Sequence, residues 1–143
     1  MTVRELGPGE TASAFGAMRA LRPRLAEEGE FVRRVDELQR PQGYRLAGVV
    51  EDDGAVSAVA GFRVLEMLAY GRILYIDDLS TLPAARRRGH GRALLRWCAD
   101  EAVRAGCVAL QLDSNVGPER QEAHRLYFNT GMRISSYHFA REL

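Results

Sequence analysis

Apolar and polar positions along the chain follow two rhythms, and the switches between them divide it into elements. Val3-Arg4-Glu5-Leu6 predicts a short first strand, stopped by Gly7-Pro8-Gly9. From Glu10 or Thr11 onward Ala14, Phe15, Met18 and Leu21 recur at helical spacing until Pro23. A second helix over Glu28 to Gln39 puts Phe31, Val32, Val35 and Leu38 on one face. Two strand-like stretches follow, Tyr44 to Val50 and Ala55 to Met67, joined by Glu51-Asp52-Asp53-Gly54, a strong hairpin signal. A further turn at Ala69-Tyr70-Gly71-Arg72 leads into a fourth strand, so strands two to four are expected to form an antiparallel meander.

The stretch Ile73 to Leu95 reads as strand, loop, helix. Pro83 ends the strand, Gly89 and Gly91 open a turn, and helical periodicity begins at Arg92. Leu94, Leu95, Cys98, Ala102 and Val103 make the apolar stripe of this third helix, which Gly106 caps. Cys107 to Leu112 predicts a buried strand, and Asp113 to Pro118 a loop. A helix from near Glu119 carries Ala123, Leu126, Tyr127 and Thr130 on one face and stops at Gly131; Ile134 to Ala140 is the expected closing strand. With no repeat, low-complexity tract or linker, residues 1–143 are expected to form a single α/β domain.

The strand-to-helix junction is suited to an anion. Glycines let the backbone approach a ligand, and the free N–H groups of a helix start point at negative charge along the helix dipole. The Walker pattern is absent because no Gly-Lys-Ser/Thr follows, and the Rossmann fingerprint fails because Arg86 stands where its first glycine would. Taken alone, the two glycines are equally compatible with a simple tight turn, and Arg86, Arg87 and Arg88 with a solvated basic run or a nucleic-acid patch, though no interleaved aromatics accompany them.

Composition narrows the field. The net charge is +1, which gives no overall field for nucleic acid or an anionic membrane. No apolar run is long enough to span a bilayer and the first residues lack a signal-peptide core, so a cytoplasmic location is expected. All 20 basic residues are arginine, a bias that suits a GC-rich bacterial genome. Cys98 and Cys107 suggest neither a disulfide framework nor a zinc site, and His90, His124 and His138 lack metal-ligand spacing, so no metal is expected.

Arg86-x-x-Gly89-x-Gly91 after a strand, with Ala123-x-x-Leu126-Tyr127-x-x-x-Gly131-Met132 later, resembles the GNAT superfamily of N-acetyltransferases. The resemblance is close over residues 70 to 135 and rests on element order elsewhere. It implies the acyl-CoA N-acyltransferase fold, a mixed sheet of six to seven strands flanked by four helices, with strands four and five splayed to admit acetyl-CoA. The implied cofactor contacts are backbone groups of Leu79, Ser80 and Thr81, the turn Arg86, Arg87, Arg88, Gly89, His90 and Gly91, and Arg92. Arg120 stands where the family often has Asn and is a further candidate for the phosphates.

For catalysis the resemblance implies that Tyr127 sits near the sulfur as proton donor, and that an N–H at a strand-four bulge, Leu79 by alignment, binds the acetyl carbonyl. Asp77 and Asp78 are two adjacent carboxylates where a strand prefers apolar residues. Asp77, sharing a face with Tyr75 and Ile73 by strand period, is assigned as base, and Asp78 a lesser role in amine binding or in shaping the bulge. The expected reaction is direct attack of a primary amine, from a small cationic molecule, on acetyl-CoA in a ternary complex. The resemblance makes the helical pair one wall of the acceptor pocket, with Glu27, Glu28 and Glu30 as candidates to meet a cationic substrate; a solvated, dipole-favoured helix start accounts for them as well. A protein lysine or N-terminal acceptor, a non-catalytic acyl-CoA-binding regulator and a homodimer remain open alternatives.

Overall fold

The structure, a computed structural model, describes residues 1 to 143. Its contacts divide the chain into two units, Met1–Leu112 and Asp113–Leu143.

The first unit is built on a five-stranded sheet in the order β1 (Thr2–Leu6), β2 (Arg45–Val50), β3 (Val56–Met67), β4 (Gly71–Thr81) and β5 (Ala109–Leu112). All neighbours are antiparallel except β4 and β5, which are parallel and joined through α3 (His90–Arg104). A parallel pair needs such a crossover, and the helix packs back on the sheet as it returns.

Strand alternation separates two layers. On one face Leu6, Leu46 and Val59 meet Phe15 and Met18 of α1 (Phe15–Leu21) and Phe31 of α2 (Glu28–Arg33). On the other, Phe62 stacks edge-on to Trp97 of α3, their ring centroids 5.7 Å apart, while Arg45 reaches Glu101 of the same helix at 2.8 Å. Leu94, Leu95, Cys98 and Ala102 are buried there, but Val103, assigned to the same stripe, is 77% exposed.

The predicted helices differ in detail. The first opens as a 3-10 segment, Pro8–Ala14, begun by Pro8 and by Glu10, which accepts from the Gly7 N–H. The second continues past Arg33 as a π-helical segment, Arg34–Gln39. The wider turn breaks the 3.6-residue period, and Leu38 is consequently half exposed rather than on the apolar face.

In the second unit a 3-10 turn, Pro118–Arg120, leads into α4 (Gln121–Asn129). Thr130 accepts the helix end, its hydroxyl donating to Leu126 and Tyr127 carbonyls. The closing strand expected over Ile134 to Ala140 does not form, so the sheet has five strands rather than six or seven. Ile134, Tyr137 and Phe139 are 75%, 84% and 92% exposed. Alternation is a local preference, whereas a strand requires a neighbouring backbone to satisfy its N–H and C=O groups.

Candidate active site

The site begins with an irregularity in β4. Residues Asp78 to Thr81 pair with Gly61 to Ala58, but Phe62 pairs with Ile76, so Asp77 is an extra residue with no partner in β3. The bulge inverts the side-chain alternation that assigned Asp77 alone to the pocket face. Both carboxylates now lie on the face covered by α1 and α2. It also corrects the expected location, since Leu79 is in register with Ala60 and the bulge is two residues earlier.

Backbone alternation after the bulge has a second effect. Leu82 N–H donates to Ser57 C=O at 2.9 Å, so the Thr81–Ala58 and Leu79–Ala60 pairs are of the non-hydrogen-bonded kind. The N–H and C=O groups of Leu79 and Thr81 therefore point away from β3. On that side β5 pairs only from Ile73 to Ile76, and β4 continues beyond it without a strand partner. This is the gap expected between strands four and five. Ser80, by the same alternation, turns its backbone toward β3, which argues against its expected cofactor contact.

The aspartates belong to one polar cluster. Asp78 Oδ1 accepts from Arg22 Nε at 2.9 Å and lies 2.8 Å from Nη2, while Oδ2 accepts from the Tyr44 hydroxyl at 2.7 Å. Asp77 is gripped by Arg63 through both oxygens, at 3.0 and 2.7 Å, and the Arg63 guanidinium lies over the Tyr44 ring. Burial raises the Asp77 pKa above the ordinary aspartate value, with Arg63 acting in the opposite direction. Burial and Asp78 together hold the Tyr44 phenol well above its usual value, so it stays a hydrogen-bond donor. Gly61 makes this approach feasible, because a Cβ there would overlap the Tyr44 hydroxyl.

Asp78 and Tyr44 form part of the wall of a cavity of about 260 Å³ between α1, α2 and the sheet. Met18 and Phe31 supply apolar surface, and Arg22, Arg24 and Arg34 the charge. Asp77 and the three expected glutamates are not among its lining residues; Glu30 is held instead by Arg33 at 2.8 Å. Tyr44, Arg63, Arg22 and the cavity arginines were not anticipated from the sequence.

At the other end of β4 the turn is set by two left-handed residues, Arg87 at φ 63° and Gly89 at φ 80°, the latter capping α3. Such alternation makes a concave nest of backbone amides, and the first turn of the 15-residue helix adds its own. The His90 side chain is buried, its Nε2 3.2 Å from Glu51 Oε1, and Arg88 Nη1 approaches the same oxygen at 3.4 Å. These approaches bring both side chains toward the β2–β3 hairpin without a hydrogen bond between His90 and Glu51, and the backbone amides of Gly89 to Arg92 lie at the start of α3. Arg86 is exposed at the mouth of the turn.

The family model of the acetyltransferase (GNAT) family matches residues 15–132. The chain belongs to the GNAT family. As a GNAT acetyltransferase it is 32% identical over 133 residues to the uncharacterized N-acetyltransferase YhdJ of Bacillus subtilis, covering 92% of this chain and 91% of that one. It is 35% identical over 68 residues to an aminoalkylphosphonate N-acetyltransferase of Salmonella typhimurium, 48% of this chain and 43% of that protein. Among solved structures, an aminoglycoside N-acetyltransferase in complex with CoA superposes with a TM-score of 0.80 at 15% identity, covering 99% and 93% of the two chains. That likeness establishes the fold of the GNAT enzyme.

Two of the expected site residues, Tyr127 and Arg120, lie in the second unit. Tyr127 is buried on α4, and burial raises its pKa, with Arg120 working against the shift. Arg120 thus interacts with the Tyr127 hydroxyl in this structure. Ser114 and His124 are hydrogen-bonded at 3.0 Å in the same unit. Cys98 is buried and its pKa is pushed up to about 12, which removes it as an acyl-accepting thiolate.

Proposed function

We propose that this GNAT enzyme transfers the acetyl group of acetyl-CoA to the primary amine of a small molecule, by direct attack in a ternary complex. The observation that carries the reading is β4 itself. Its unpaired edge at Leu79 and Thr81 ends in the Arg86–Gly91 turn, and past its bulge Asp78 lines a cavity while Asp77, on the same sheet face, is held beside it by Arg63. These groups fit a phosphate-bearing thioester on one side and an amine on the other. Acetyl-CoA, when bound, supplies the activated acyl group.

The chain's residues then divide the work. Amides of Gly89 to Arg92 hold the pyrophosphate, with Arg86 and Arg87 at the mouth, and the amides of Leu79 and Thr81 pair with the pantetheine arm. The Leu79 N–H takes up charge developing on the carbonyl oxygen. Asp78 orients the amine from the cavity wall. Asp77, more basic than an ordinary aspartate, receives the amine proton through water. As the N–C bond forms and the C–S bond breaks, the Tyr127 hydroxyl gives its proton to the leaving sulfur. The products are the N-acetyl amide and CoA thiol. The family model's match over residues 15–132 supports carrying the motif roles to Tyr127 as well as to β4.

The cavity volume supports a small acceptor rather than a protein segment, being slightly below the ~300–1,000 Å³ of drug-sized sites. The test is stoichiometry. Primary amines should release one CoA thiol per N-acetyl product, and their trialkylated analogues none. Equal thiol release from both would mean hydrolysis rather than amine acetylation.

A further inference from the structure

The charge of the acceptor cavity points away from a polycation. Two adjacent aspartates in β4 suggested a cationic substrate, yet only Asp78 lines the cavity, and its carboxylate is already matched by Arg22 at 2.8 Å and by the Tyr44 hydroxyl. Arg24 and Arg34 line the same cavity and make no salt bridge with any carboxylate. Glu30, whose charge Arg34 helps to stabilise, has both of its oxygens taken by Arg33. The cavity therefore holds three guanidiniums against one carboxylate. A polyamine entering it would meet uncompensated positive charge, whereas an anionic group would complete two unfilled forks.

Resting on the transferase reading above, we propose that the acceptor is a small primary amine that also carries an anionic group, a carboxylate or phosphonate, which Arg24 and Arg34 bind while Asp78 holds the amino end. Guanidiniums suit both anions because their planar N–H pairs match two oxygens at once. The step is unchanged: the amine nitrogen gains the acetyl group, its proton leaves through water to Asp77, and the thiolate departs as CoA thiol. Arg22 acts as a positioning residue, because its hydrogen bonds to Asp78 and to the Asp77 carbonyl at 3.1 Å fix the bulge from the cavity side.

The test compares acceptors of similar length, each with one primary amine except putrescine: β-alanine and 2-aminoethylphosphonate, the uncharged ethanolamine and propylamine, and the dication putrescine. With the full chain, kcat/KM should be about tenfold or more higher for the anionic acceptors, the value of one charge-assisted hydrogen bond pair. The better of the two anionic acceptors identifies the anion. Arg24→Gln and Arg34→Gln should each collapse that preference by raising the anionic acceptor's KM, with KM for acetyl-CoA unchanged, and lysine replacements should restore part of it. Putrescine as the best acceptor, or a preference that survives both substitutions, would overturn the proposal. If no amine supports thiol release, calorimetric titration separates the two claims. Binding of β-alanine or 2-aminoethylphosphonate that disappears in both glutamine variants would keep the anion site and refute the transferase reading, and absence of binding would refute both.

Discussion

Two regions of this GNAT protein are rich in arginine, and they use it in opposite ways. The turn from Arg86 to Gly91 concentrates three arginines in sequence, yet its site is made of backbone. Positive φ at Arg87 and Gly89 and the start of α3 aim the amides, while Arg88 turns back to Glu51. The cavity gathers Arg22, Arg24 and Arg34 from the α1–α2 connection and the π-helical segment, and there the proposed recognition is by the side chains themselves. The comparison teaches that a run of charge marks a site less reliably than charges converging from different elements on one volume.

The largest expected effect comes from the backbone side. Gly89→Val puts a β-branched residue at φ 80°, where strain of ~1–3 kcal/mol and lost amide contacts should weaken acetyl-CoA binding about a thousandfold, read by calorimetry. Near-normal affinity would show that the side chains hold the cofactor after all. Tyr127→Phe should lower kcat about a hundredfold with little change in acetyl-CoA affinity, the signature of a proton donor; an unaltered kcat removes it from that role.

On the acceptor side, Asp77→Asn should reduce kcat by about tenfold or more and abolish the acidic limb of the pH profile. The sign follows from burial. The Asp77 pKa is raised, so its basic form is lost as pH falls through a value above that of an ordinary aspartate. A variant with the same acidic limb would shift the base to another group. Gly61→Ala should displace Tyr44 from Asp78, cost about 1–3 kcal/mol of stability by overpacking, and raise the acceptor's KM, measurable by denaturant unfolding and kinetics. Smallest of all should be Arg88→Gln, within about fivefold in acetyl-CoA affinity, because an exposed ion pair contributes at most ~1 kcal/mol.

Much of the first half of this contrast could be read directly from residue order. The β4–turn–α3 junction is local: Pro83, Gly89 and the helical stripe of Leu94, Leu95 and Cys98 announce it within about twenty residues. The acceptor site is not local. Tyr44, Arg63 and Arg22 meet the aspartates across 14 to 56 positions of chain, and no spacing rule links them. Gly61 was the one available signal, a glycine inside an apolar strand where another group comes close. A bulge in β4 was expected from the resemblance, but at Leu79; its position at Asp77 had no local signal, and strict alternation therefore put only one of the two carboxylates on the acceptor face. The tail from Ile134 to Ala140 shows the converse limit, a clear period of two without a neighbouring strand to pair with.

The most direct test of the central claim is a crystal structure of the chain with acetyl-CoA bound. The account predicts the pyrophosphate on the amides of Gly89 to Arg92, the thioester oxygen within hydrogen-bond distance of the Leu79 N–H, and the acetyl carbon facing the cavity that holds Asp78. A cofactor lying along another edge, or a thioester remote from Leu79, would contradict it.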